Sequence, residues 1–265
     1  MLFMLQKPSV RVSATLLFTV ILSACASSGS GISKIPSQTG DITQADGTFT
    51  QPLKQEKIKA NCKGTCPKLS IDSLVFPGNP KLTQHVDAVL ASMAGMDEEP
   101  TSFRSIAEFE KHYWETAGPR DQVILATKPR YRNKDLTVLE LGVWQYFTGA
   151  AHGMSATQFL NWDNRQANVL TIDDILLPGK KTAFNQALQQ AHESWLRSQE
   201  DAQDDPEQYR RLWPFQPTDN IALTDTGVVA KYDAYAIAPY SSGQPELHIA
   251  YPQLQGILKP SYLPR

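Results

Sequence analysis

The chain has 265 residues with 25 basic and 27 acidic side chains, a formal charge of −2, and three cysteines. A balance on the acidic side of neutral disfavours nucleic acid and anionic lipid headgroups as partners and mildly favours a basic one. No internal repeat and no block of like charge is present, and no apolar run is long enough to span a bilayer.

Residues 1–24 carry Lys7 and Arg11 and no acid, ahead of an apolar run from Ala14 to Leu22 that closes on Leu22-Ser23-Ala24-Cys25. That is the anatomy of a secretory leader: a charged start, a short apolar stretch and small residues at the cut. As a helix the run would reach about 13 Å against a hydrocarbon core of roughly 30 Å, too short to cross. Leu-Ser-Ala-Cys resembles the lipobox of bacterial lipoproteins, which implies cleavage before Cys25 and a membrane anchor of lipid on its thiol. An ordinary leader with a chance cysteine is the competing reading, and it would leave an odd thiol count in an oxidising compartment. With Cys25 lipidated, Cys62 and Cys66 remain, an even remainder suited to a disulfide. Closing that five-residue loop contributes only roughly 2 kcal/mol of chain entropy, so the bridge would pin a local turn. The alternatives are a redox pair, which usually has two intervening residues, and half of a metal site, for which no second thiol pair exists.

Cleavage removes Lys7 and Arg11, so 25 basic residues less two, against 27 acidic, make a formal charge of −4 for the mature chain. Ala26 follows the cysteine where Asp does not, which for a lipoprotein of a Gram-negative bacterium implies the outer membrane. From Ala26 to Lys57 the chain is rich in Ser, Gly, Thr and Gln with no apolar period, a flexible tether with an end-to-end distance of roughly 30 Å. About 208 residues then remain for folded structure, one large or two small domains.

Leu69, Ile71 and Leu74-Val75-Phe76 predict a strand, stopped by Pro77-Gly78-Asn79-Pro80. Leu82, Val86, Val89, Leu90 and Met93 recur at helical spacing, and Ser105 with Glu108 forms a capping box before Ile106, Phe109 and Tyr113. From Gln122 the period becomes two: 122–130 and 136–147 read as a hairpin of strands, and 155–162 as a third strand after a glycine-flanked turn. In the middle strand Leu139, Leu141 and Val143 share one face and Trp144 and Tyr146 the other, so both faces are partly covered. A short capped turn at Thr171–Leu177 precedes an amphipathic helix at about 180–199, on Phe184, Ala187, Leu188, Ala191 and Trp195. The acidic stretch 201–207 reads as a solvated helix end or loop. Strands return at 221–225, 228–232, 235–237 and 246–251. Blocks of strands and helices without a βαβ rhythm predict an α+β fold with antiparallel sheets, in subdomains 58–165 and 166–265 after the leader (1–24) and the lipidated tether (25–57).

Three stretches together resemble the extracellular region of RsiV-like anti-sigma factors. Trp144-Gln145-Tyr146-Phe147-Thr148-Gly149-Ala150-Ala151-His152-Gly153 is similar to the family's aromatic strand and Gly-Ala-His-Gly turn, although the family commonly has a second glycine at the position of Ala150. Leu170-Thr171-Ile172-Asp173-Asp174-Ile175-Leu176 is similar to the segment that follows. Tyr235-Ala236-Ile237-Ala238-Pro239-Tyr240, with Gly243, Glu246 and Ile249-Ala250-Tyr251, is similar to the C-terminal signature. The resemblance covers roughly residues 60–258. It implies a sensing or binding module of the type that binds lysozyme in that family, carried on a lipid and without the sigma-binding segment.

His152, between Ala151 and Gly153 at the end of the aromatic strand, reads either as a ligand-contacting or proton-transferring residue or as a turn histidine bonded to backbone. His85, His112, His192 and His248 are scattered without metal-ligand spacing, Glu193 beside His192 reads as solvated, and nucleophile-elbow, phosphate-loop and dinucleotide motifs are absent. No cofactor, metal or catalytic residue is assigned. Tyr235, Tyr240 and Tyr251 with Trp144 and Tyr146 offer aromatic surface for stacking on sugar or anchoring a protein, or else form a half-buried core. The expected function is a non-catalytic envelope module for a lysozyme-like protein or peptidoglycan. An enzyme on cell-wall glycan and a structural envelope lipoprotein are the alternatives.

Overall fold

The alternation of Leu69 and Ile71 becomes a strand interior to a six-stranded sheet in the computed structural model, which describes residues 49–95 and 102–263. The leader, Cys25 and the tether up to residue 48 lie outside the described residues. The sheet runs in chain order: β1 (Gln51–Ile58), β2 (Lys68–Val75), β3 (Gln122–Arg132), β4 (Leu136–Tyr146), β5 (Met154–Asp163) and β6 (Asn168–Val169). Every pairing is antiparallel except β2 with β3, which is parallel. The exception follows from the connection, since a parallel neighbour requires a crossover, supplied here by α1 (Pro80–Ala94) and α2 (Ile106–Thr116).

Asn79 and Ser105 cap these two helices by accepting from the amides of Leu82 and Glu108. Their apolar faces, Leu82, Val86 and Leu90 with Phe109 and Tyr113, pack on Leu69, Val123, Leu125, Leu139 and Leu141 from one face of the sheet. Each fully buried leucine contributes about 1.5–3 kcal/mol.

β1 includes residues 51–57, which the sequence pattern assigns to the tether. Its residues show no apolar alternation because it is an edge strand held by backbone pairing to β2, and Pro52, Lys54 and Lys57 suit an unprotected edge. Cys62 and Cys66 are disulfide-bonded in the turn that follows it.

The second sheet is antiparallel: β7 (Ile221–Leu223), β8 (Gly227–Lys231) and β9 (Glu246–Ala250). Over it lie α3 (Ile172–Ile175), with the capping box of Thr171 and Asp174, and α4 (Lys181–Leu196), which buries Phe184 and Leu188. The acidic stretch folds into α5 (Glu200–Asp204) and α6 (Pro206–Leu212), which bury Ala202 and Tyr209 against Leu196. Residues 235–237, expected as a strand, form a turn: Tyr235 sits at φ +70°, outside any strand conformation, and the Ala236 amide bonds the carbonyl of Asp233.

Leu136 and Val138 of β4 and Phe159 of β5 join the core beneath this second sheet, while Leu139, Leu141 and Leu160 point into the core under α1 and α2. The second face of β4 therefore changes character along its length. It is core at Leu136 and Val138, charged at Glu140, open at Gly142, and aromatic at Trp144 and Tyr146. The fold is α+β.

Candidate functional site

The open end of that face begins with the turn between β4 and β5. Asp121, buried at 7% exposure, accepts from the Thr148 amide and hydroxyl at 2.6 Å each and from the Gly118 amide at 2.9 Å, tying the turn to the loop before β3. Gly149 supplies a positive φ of 98° that the turn requires. Gly153 does something different: a Cβ there would lie 2.4 Å from Cζ2 of Trp144, so the absent side chain lets the indole lie against the backbone.

Around Gly153 the chain gathers aromatic rings. The Gly153 carbonyl accepts from the Tyr240 hydroxyl at 3.0 Å and lies 3.0 Å from Nδ1 of His152, which is therefore the protonated ring nitrogen. The imidazole packs on Tyr240 with centroids 4.3 Å apart and the rings tilted by 32°, Tyr240 meets Tyr235 at 5.6 Å, and Tyr235 meets Trp213 at 6.3 Å. The Tyr235 hydroxyl stands 3.5 Å from Nε2 of His152, the outer limit of a hydrogen bond. Tyr235 remains 46% exposed and Tyr240 39%. A tyrosine at φ +70° costs on the order of 1–3 kcal/mol, strain that the surrounding contacts must hold.

The structure thus brings together His152, Gly153, Trp144, Tyr235 and Tyr240. Tyr146 stands half-buried beyond Trp144, opposite Gln122, and makes no ring contact with the group, and Tyr251 is buried in the core of the second sheet, its hydroxyl donating to the Thr224 carbonyl. Trp213 joins without any signal in its local sequence, because its place depends on the path of α5 and α6.

At the margin of the second sheet the same face carries an ionic cluster. Arg130 bonds Glu140 at 2.6 Å and Glu246 at 2.8 Å, and Lys231 reaches the same two carboxylates at 2.7 and 3.2 Å. Burial by itself would raise the pKa of Glu140, but Lys231 and Arg130 outweigh it and hold the carboxyl below its ordinary value. Next to it Asp233 accepts from the Thr157 amide at 2.9 Å and from Gln244 at 3.0 Å, and burial pushes its pKa up. Two cations and two anions leave the cluster neutral, a join between the sheets with no free charge. The signal for it was the presence of Arg130, Glu140 and Lys231 inside otherwise apolar strands.

The other histidines do not assemble a site. His192 is 1% exposed on the buried side of α4, its ring against Trp195 and Phe215 with no hydrogen bond, and burial lowers its pKa. Glu193, expected as solvated, pairs with Arg210 at 2.8 Å, because α6 folds back beside α4. Among the described residues no group of three His, Cys, Asp or Glu is placed to hold a metal ion, and no helix is long and apolar enough to cross a membrane.

The profile of a family described as a protein of unknown function (DUF3298) matches residues 173–252. Among solved structures, a DUF3298 family protein from Pseudomonas aeruginosa PAO1 is similar at 38% identity and a TM-score of 0.76, over 82% of this chain and 97% of its own. A DUF3298 family member from Bacteroides fragilis NCTC 9343 is similar at 19% identity and a TM-score of 0.62, over 80% of this chain and 94% of its own, a likeness of fold. No curated protein matches the chain.

Proposed function

The chain belongs to the DUF3298 family, and from that premise we propose that it is a non-catalytic binding module of the bacterial envelope, anchored by lipid on Cys25, that recognises a wall-associated ligand: a lysozyme-like protein or peptidoglycan. The observation that carries this reading is the aromatic shelf. His152, Tyr235 and Tyr240 are held in mutual contact at the solvent edge, with Tyr235 in a strained backbone conformation, where an ordinary core would bury them. Rigid aromatic rings with one polar tip are the side chains that dominate recognition surfaces. The resemblance of this region to RsiV-like domains points the same way.

An enzyme centred on His152 has less support. Among the described residues, Nδ1 is committed to a backbone carbonyl and Nε2 faces a tyrosine hydroxyl, with no carboxylate placed to orient the ring for proton transfer. The mature charge of −4 suits a basic protein partner, whose attraction weakens with salt.

The test is calorimetric titration of the mature chain, kept in solution by Cys25→Ser, with lysozyme and with soluble peptidoglycan fragments at low and physiological salt. Binding of one of them, weakened about tenfold or more by Tyr240→Ala, is expected. Absence of heat from both at both salt concentrations refutes the reading.

A further inference from the structure

Beside the shelf the open face holds a small cavity that shares Trp144 with the aromatic cluster and is lined otherwise by sheet residues. The row Ala126, Gly142, Thr157 crosses β3, β4 and β5, and a Cβ at Gly142 would meet no heavy atom within 4 Å. A glycine at the centre of a sheet whose missing side chain is replaced by no neighbour leaves a trough, and an interior strand glycine commonly marks the close approach of something else. The trough has a volume of about 150 Å³. At roughly 30 Å³ per water it admits about five waters, the scale of one small ring.

Its walls differ. On one side are Trp144 and Ile124, the latter 39% exposed; on the other are Lys128 and Glu140, with Gln244 and Ser155 at the rim. An apolar wall with hydroxyl and amide groups around it matches a sugar ring, which has a C–H face and a hydroxyl edge. The charges add a further requirement. Glu140 is already neutralised by Arg130 and Lys231, and Asp72, on the same face of β2, pairs with Lys54 at 3.3 Å. Lys128 makes no ion pair among the described residues and is the lining cation open to a ligand anion, while the Asp233 carboxylate behind the trough is taken up by the Thr157 amide and Gln244.

We propose that this trough is a subsite for a single sugar ring bearing a carboxylate, its C–H face against Trp144 over Gly142 and its carboxylate on Lys128. The proposal rests on the binding-module reading and, of its two ligand classes, selects glycan. Peptidoglycan presents this chemistry where the peptide has been removed and the lactyl carboxylate of its muramic acid is free. A uronic acid polymer presents it as well.

Three saccharides distinguish these sources when titrated against the mature chain with Cys25→Ser: the disaccharide of N-acetylglucosamine and N-acetylmuramic acid, a glucuronic-acid disaccharide, and neutral diacetylchitobiose. The muramic disaccharide or the uronic one is expected to bind, and the tighter of the two identifies the source. Gly142→Leu should weaken that binding at least tenfold by filling open space, with the circular dichroism melt retained. Lys128→Gln, an exposed change that tests the site independently of folding, should erase the preference over chitobiose. Carboxylated-sugar binding that is equal in wild type, Gly142→Leu and Lys128→Gln overturns this inference alone, as does chitobiose binding as tightly. Lysozyme binding without saccharide binding also overturns it and leaves the module reading standing. A wild-type chain that takes neither lysozyme nor saccharide overturns both.

Discussion

Tyr235 is where backbone strain meets the proposed recognition surface. In the left-handed region a glycine is relieved of the Cβ clash that any other residue suffers, so Tyr235→Gly should be more stable than Tyr235→Ala by about 1 kcal/mol in urea denaturation. Both should lose ligand affinity together, because in the proposed module the ring and not the turn makes the contact. Gly153→Ala places a methyl 2.4 Å from the Trp144 indole, and overpacking of that kind should cost about 1–3 kcal/mol and shift the tryptophan fluorescence. His192 yields a pH prediction. Burial lowers its folded-state pKa below the ordinary 6.5, so as pH falls below about 6.5 the unfolded chain takes up the proton first and stability declines toward the folded pKa. His192→Phe should flatten this decline as pH falls below about 6.5, measured by urea denaturation across pH. Of these residues, His152 and Gly153 were legible from a glycine-flanked turn after an aromatic strand. The burial of His192 was not: it continues the stripe of Phe184, Leu188 and Leu196, but a histidine carries no apolar signal and Phe215 closes over it from another segment.

Among the elements, β4 carries most of the account. Its period of two was plain from Leu139, Leu141 and Val143, and α1 and α2 cover that face as their apolar spacing requires. The opposite face was only half legible. Nothing local distinguishes Val138, buried beneath the second sheet, from Trp144, left half-open, because the boundary is set by where β7, β8 and β9 end. Glu140 marks that boundary, and Glu140→Gln should cost about 3–5 kcal/mol in chemical denaturation by leaving Arg130 and Lys231 short of charge in a buried join. β1 escaped sequence reading for the reason given by its edge position: backbone pairing leaves no apolar pattern. The turn at Tyr235 escaped it because a tyrosine with φ near +70° has no compositional signature, whereas a glycine would have one.

For the molecule as a whole, the two apolar clusters draw on the same two strands, with Val138 and Leu139 adjacent in β4 and Phe159 and Leu160 adjacent in β5, each pair divided between them. Loss of either cluster frees the strands that build the other, so one cooperative transition is expected, with calorimetric and van't Hoff enthalpies equal. The acidic mature chain, the leader expected to end before Cys25 and the exposed shelf describe one object in our reading: a recognition surface held on lipid in the envelope. The most direct test is solution NMR of the mature chain, following the His152 imidazole and the Tyr235 and Tyr240 ring signals as lysozyme or a peptidoglycan fragment is added. The account predicts that these signals shift and broaden to saturation while His248, in the polar recess beside α4, keeps its position. Saturation by either ligand that leaves the shelf signals unchanged contradicts it.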